Sequence, residues 1–304
     1  MKILYCKCFG LGNAVQAIPA IKALQQTYGS DNVDILVGNL PDDVGALNVL
    51  NHMAIGGGKI CVNSAIERHY DVAVCAIPYD GRWKNGAHFF ADKVVDGRTR
   101  PDPKTTGLVS WKYHESEYQM DNARLLGFYG KTPSCQFLPF VDKDPDLIYL
   151  GIGYKKDSSN FWSVKHWGNA NYAALVKMIL SEYPNKRVVT SGDMLDLKLS
   201  ISQISSLVRD KNRFSFYAPC RIPDMFNLIS KCSAYVGNDT GTMHVASSCG
   251  LDVLSMFFLD NSFIKSSPLR VNEKQKIKKL YGAGAFRSIM TPQRIMEKLR
   301  EILT

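Results

Sequence analysis

A chain of 304 residues, 45% hydrophobic and 21% charged, has the apolar content for a full core and the length for two domains of ordinary size. No apolar run approaches the roughly 20 residues of a membrane span, and MKILYCKCFG reads as a strand rather than a signal peptide, so a cytoplasmic protein is expected. The eight cysteines show neither C-x-x-C nor a Cys/His cluster at zinc spacing, which argues against a zinc module and for reduced, packed thiols. The net charge of +9 is concentrated at one end: between 261 and 304 stand ten Lys or Arg against three Glu. Such an edge suits an anionic partner, or is simply a solvated surface.

In chain order, residues 2–8 read as a strand that enters Phe9-Gly10-Leu11-Gly12-Asn13, and 14–28 show helical spacing through Val15, Ile18, Ile21 and Leu24. This unit lacks the G-x-G-x-x-G fingerprint and the P-loop lysine, so dinucleotide or ATP binding is poorly supported. Pro19 implies a kink or a helix start after it. The glycines either permit the turn or let a substrate approach the backbone. Strands over 33–37, 59–62 and 71–77 alternate with a helix over 42–52, which predicts a parallel sheet with helices on both faces. Residues 78–84 leave a strand end, where open sheets of this kind place ligands. The irregular stretch 85–114, with Arg98, Arg100, Lys104 and Lys112 beside Trp111 and Tyr113, is an acceptor-facing loop or a plain surface loop. A helix follows over 115–128.

Pro133, Pro139 and Pro145 mark a linker over 130–146, and the run Asp142-Lys143-Asp144-Pro145-Asp146 reads as part of it rather than as a metal site. Domains are therefore expected over 1–143 and 144–304. The second repeats the first: strands over 147–153, 187–191, 214–217, 233–236 and 253–256, helices over 169–183, 197–208, 222–230 and 242–249. Thr291-Pro292 opens a last helix with Ile295, Leu299 and Ile302 on one face. The expected α/β architecture is two doubly wound, Rossmann-like domains facing a central cleft, where a ligand would bind.

The stretch YVGNDTGTMHVASSCG, 235–250, joins a short strand to a small-residue helix through Gly237-Asn238-Asp239-Thr240-Gly241. A helix opening at this elbow directs free N–H groups and a partial positive charge at the crevice, which suits a diphosphate. Thr240 adds a hydroxyl, and His244 an imidazole. Asp239 has two readings, ligand-facing group or helix N-cap.

With Asp239-Thr240-Gly241-Thr242-Met243-His244 after a strand of the second domain, the chain resembles glycosyltransferase family 9, the bacterial ADP-heptose:lipopolysaccharide heptosyltransferases. Three more segments carry the likeness in the same order: residues 12–24, Lys165-His166-Trp167, and 289–295, IMTPQRI. The resemblance implies a GT-B fold and metal-independent, inverting transfer of a sugar from a nucleotide diphosphate, ADP-heptose, to an anionic glycolipid such as a lipopolysaccharide core. It implies a donor site of Gly12, Ser158, Ser159, Lys165, Asp193, Asp239, Thr240, Gly241 and His244, and Asn13, Lys165 and Asp239 as catalytic positions. No metal or resident cofactor is expected. Arg82, Lys84, Arg98, Arg100 and the basic tail would meet acceptor phosphates at the inner membrane face.

One departure concerns the chemistry. The family's proposed base is an aspartate where this chain has Asn13, and an amide does not accept a proton at neutral pH. Asn13 then orients the acceptor while Asp80 or His88 serves as base, or the protein takes another acceptor, or it binds a nucleotide sugar without turning it over. A nucleic-acid acceptor is a further alternative, against which the absence of RNA-binding motifs argues.

Overall fold

The structure, a computed structural model, describes residues 1–6, 10–37, 43–53, 60–62, 69–75, 91–95, 113–153, 165–192, 195–217 and 219–304. They form two compact units, Met1–Leu138 and Pro139–Thr304.

In the first unit, β1 (Ile3–Cys6), β2 (Val33–Val37), β3 (Ile60–Val62), β4 (Tyr70–Cys75) and β5 (Ala91–Val95) make a sheet of order β3-β2-β1-β4-β5, parallel throughout. The central strand β1 is buried along its whole ILYC run, as a parallel strand covered on both faces should be. Among the described residues the unit also has helices α1 (Leu11–Tyr28), α2 (Asp43–His52) and α3 (Glu115–Leu125). Helix α1 begins at Leu11, behind the left-handed Gly10 (φ 42°), and runs through Pro19, so a start after the proline is excluded. Proline removes one N–H bond, and the buried Val15, Ile18, Ile21 and Leu24 on the same helix outweigh that loss. Tyr5, fully buried on β1, donates to Gln119 Oε1 at 2.8 Å, and Gln119 donates to Glu115 Oε1 at 3.2 Å, which fixes α3 against the sheet.

Strand β5 was not expected. Its sequence, ADKVV, exposes Asp92 and Lys93 at the sheet edge, and those charges break the apolar pattern by which a strand is read.

The second unit contains β6 (Asp144–Gly151), α4 (Asn169–Glu182), β7 (Arg187–Ser191), α5 (Leu195–Leu207), β8 (Phe214–Tyr217) and α6 (Ile222–Ser230). It continues with β9 (Cys232–Asn238), α7 (Gly241–Ser248), β10 (Asp252–Phe257), α8 (Asp260–Lys265), β11 (Ile277–Tyr281) and α9 (Pro292–Leu303). The sheet order is β11-β10-β9-β6-β7-β8, again parallel. Strand β6 takes in part of the expected linker: Asp144 pairs with Arg187, and Asp146 lies 3.7 Å from Lys186. These acids answer the cations that open β7.

Helix α9 is capped by Thr291, whose hydroxyl accepts from Arg294 N at 3.3 Å, and it buries Ile295, Met296, Leu299 and Ile302 in the core that α4 also lines. Each such side chain contributes roughly 1.5–3 kcal/mol. Much of the basic tail is answered from within the unit: Lys278 and Lys298 reach Glu301 at 2.7 and 2.6 Å, and Arg300 reaches Glu182 at 2.7 Å. Strand β11, IKKLY, went unrecognised because its lysines read as tail. Among the described residues no helix is long and apolar enough to cross a membrane.

Candidate functional site

The site is built at the carboxyl end of β9. Gly237 and Gly151 let β9 and β6 approach closely: a Cβ on Gly237 would stand 2.3 Å from the Gly151 carbonyl oxygen, and one on Gly151 would stand 2.0 Å from the Tyr235 hydroxyl. Tyr235 is fully buried, stacks on Tyr149 with ring centroids 6.0 Å apart, and donates to the Asn238 carbonyl at 2.9 Å. Burial pushes its phenol up to about 12, so it keeps its proton and serves as a donor.

Asn238, the last residue of β9, ties three elements together. Its amide donates to Gly153 O at 2.9 Å and Lys165 O at 3.1 Å, and its oxygen accepts from Tyr172 Oη on α4 at 3.2 Å. Sequence reading passed over Asn238 as a turn residue. The available signal was an amide directly after a buried strand, a position where its polar atoms require partners.

Asp239 follows, its N–H bonded to Met256 O at 3.0 Å. Its carboxylate accepts from Lys165 Nζ at 2.6 Å, and the same ammonium reaches the Asp239 carbonyl at 3.3 Å. The two side chains are 5% and 12% exposed, so this is an interior ion pair. The N-cap of α7 is Thr240, in extended conformation and without a side-chain cap bond, and the reading of Asp239 as N-cap is thereby overturned. The Thr240 hydroxyl pairs with that of Thr242 at 2.8 Å, and Gly241 opens the helix. His244 lies buried in the first turn of α7. The elbow thus gathers an ammonium already paired with a carboxylate, two hydroxyls and a helix N-terminus, and the hydroxyls and the helix terminus favour an anion.

Lys165 is held from behind. Trp167 Nε1 donates to Met290 O at 2.7 Å and its ring meets Tyr172 edge-on at 5.3 Å, while Arg287 donates to His166 O at 2.5 Å and lies 4.8 Å over Phe258. Burial lowers the pKa of His166, which favours a neutral imidazole beside Arg287.

The structure therefore brings together Lys165, Asp239, Thr240 and Gly241, with His244 on the same helix. Gly12 and Asn13 belong to the other unit, half-buried in the first turn of α1. Ser158, Ser159 and Asp193 lie outside the described residues, as do Asp80, His88, Arg82, Lys84, Arg98 and Arg100.

A model described as glycosyltransferase family 9 (heptosyltransferase) matches residues 152–280, a stretch that holds both Lys165 and Asp239. Lipooligosaccharide heptosyltransferase 2 of Haemophilus influenzae is 24% identical over an alignment of 351 residues that takes in 100% of this chain and 99% of that protein. Among solved structures, the E. coli heptosyltransferase WaaC with ADP superposes with a TM-score of 0.72 at 12% identity, covering 99% of each chain. E. coli ADP-heptose lipopolysaccharide heptosyltransferase II gives 0.67 at 19% identity, covering 100% of this chain and 98% of its own. The two parallel sheets are those of the GT-B fold that the family resemblance implied.

Proposed function

We propose, from its likeness to glycosyltransferase family 9, that the chain transfers a sugar, heptose by likeness, from a nucleotide-diphosphate donor to an anionic glycolipid such as a lipopolysaccharide core. The observation that carries this reading is the Lys165–Asp239 ion pair at the open N-terminus of α7, within the matched segment. In the reaction the bond from the sugar's anomeric carbon to the diphosphate breaks as the acceptor oxygen attacks from the opposite face, which inverts the centre. The departing diphosphate takes the electron pair. Lys165, the Gly241 end of α7 and the Thr240 hydroxyl offset its charge, the part a metal plays in other transferases. Asp239 keeps the ammonium in place. Gly12, Ser158, Ser159, Asp193 and His244 are the further donor contacts of this reading.

On the acceptor side Asn13 orients the attacking hydroxyl, whose proton goes to a carboxylate or imidazole elsewhere, Asp80 or His88. Asn13 also favours a second reading, a nucleotide-sugar binder without turnover. The basic tail and the cations between 82 and 100 serve contact with acceptor phosphates at the cytoplasmic face of the membrane.

Calorimetric titration with ADP, UDP, GDP and CDP tests the donor site. Selective ADP binding, weakened by Lys165→Ala and by Asp239→Ala, is expected, and no binding of any diphosphate by the folded protein would reject the proposal. Turnover separates the two readings: in the transferase, loss of Lys165 lowers the rate on the order of a hundredfold.

A further inference from the structure

Donor binding leaves unused a row of aromatic rings along the β10–β11 edge of the second unit. Phe257, which ends β10, meets Phe263 of α8 edge-on at 5.5 Å; Phe263 meets Tyr281 of β11 at 5.7 Å, and Tyr281 meets Phe286 at 5.6 Å. Exposure rises along the row from 0% at Phe257 to 55% at Phe286. Two further exposed apolar side chains are neighbours in sequence, Ile264 next to Phe263 and Ile289 three residues after Phe286. Phe286 and Ile289 stand three apart in the 3-10 helix 284–289, so they share one side of that turn.

The nearby charge is predominantly positive. Lys279 lies 4.6 Å over the Phe263 ring, Lys265 ends α8, and Arg270 and Lys274 are exposed on the connection between α8 and β11, where Glu273 is the one acid. Phe257 and Tyr281 are register partners at the carboxyl ends of their strands, the same end of the sheet at which β9 delivers Asp239.

Exposed aromatic and branched side chains with adjacent ammonium groups match one surface chemistry closely. The apolar groups enter the boundary between headgroups and acyl chains, and the cations meet lipid phosphates. We infer that Ile264, Phe286 and Ile289, with Lys265 and Lys279, form the surface by which this protein docks on an anionic bilayer. The inference rests on the glycolipid-acceptor reading, because docking there turns the carboxyl end of the sheet, where the donor elbow lies, toward a lipid-anchored acceptor.

Co-sedimentation of the full chain with phosphatidylglycerol/phosphatidylethanolamine vesicles, against phosphatidylcholine vesicles, tests it. Capture by the anionic vesicles alone is expected, weakening as salt is raised. Phe286→Ser/Ile289→Ser should lower partitioning about tenfold or more through lost apolar insertion. Lys265→Glu should cost about fivefold or more. Ile264→Ser provides an independent apolar variant, and an unchanged melting temperature shows that each variant is folded.

Wild-type capture by neutral vesicles as strong as by anionic ones, capture undiminished by these substitutions, or no capture at all would overturn the inference. So would a concentration-dependent dimer that the same substitutions disperse, which would assign the surface to a second copy of the chain. ADP titration of the same samples keeps the two questions apart: vesicle capture without ADP binding leaves the surface standing and removes the donor site.

Discussion

Breaking the Lys165–Asp239 pair should destabilise the second unit, and removing both charges together should restore most of the loss. Nζ and Oδ2 stand 2.6 Å apart with side chains 12% and 5% exposed. At an effective dielectric of about 20, the gross attraction at this separation is about 6 kcal/mol, against which desolvation of the two ions costs several kcal/mol. Asp239→Asn leaves the ammonium without its carboxylate, and Lys165→Met leaves the carboxylate without its ammonium. Each should cost about 3 kcal/mol, or roughly 6–12 °C in melting temperature for a unit of this size. The double variant Lys165→Met/Asp239→Asn buries no net charge there and should lose about 1–2 kcal/mol, well short of the roughly 6 kcal/mol sum. Urea denaturation of the four proteins near neutral pH measures the cycle. A double variant equal to the sum of the singles within about 0.5 kcal/mol would refute the pair.

Asn238→Ala removes a fully buried amide and strands Gly153 O, Lys165 O and Tyr172 Oη, so a loss of about 2–3 kcal/mol in urea, with weakened ADP binding, is expected. A variant as stable as the parent would contradict that role. Gly237→Ala drives a methyl group to 2.3 Å from the Gly151 carbonyl and should abolish soluble expression; a normal yield of protein with a native melting curve would contradict the close strand approach. The Glu301 carboxyl is held down to about 2, first by the hydrogen bond from Lys278 and then by that from Lys298. A depressed pKa stabilises the folded state above the ordinary value of 4.5, and that contribution disappears as pH falls towards about 2. Lys278→Met should therefore flatten the decline of the urea midpoint over this interval, and an unchanged profile would contradict the assignment. Burial pushes the thiols of Cys232 and Cys249 up to about 12, so neither should be alkylated by iodoacetamide at about pH 8 in the folded protein, as peptide mass spectrometry would show.

Elements with a clean local pattern were legible to the residue: β2, β7, β8 and α6 occupy the spans their apolar spacing predicts. Lys165 and Asp239 were both identifiable, Asp239 by its place at a strand-to-helix elbow and Lys165 through the family resemblance. Their pairing was not, because it joins positions 74 apart in sequence and no local pattern encodes such a contact. Asn238 carried a local signal, an amide directly after a buried strand, but its partners Gly153, Lys165 and Tyr172 lie 66 to 85 positions away. Strands β5 and β11 were hidden by charges that tolerate an edge: Asp92 and Lys93 point outward, and Lys278 and Lys279 find Glu301 and the Phe263 ring. Of the two readings of Pro19 the helix start after it is excluded, since a helix with a well-buried face survives the loss of one bond.

The bonds from Trp167 to Met290 and from Arg287 to His166 span 123 and 121 residues, so the support behind Lys165 comes from a segment made well after it. Domains emerging from the ribosome fold as units. The first unit can therefore settle while the second is still being translated, but the Lys165 segment waits until residues 287–290 have cleared the exit tunnel. A nascent chain stalled before Arg287 would carry the whole elbow from Asp239 to His244 with its lysine unanchored. Truncation before Arg287 should then register first as lost diphosphate binding, ahead of any loss of the first unit's fold.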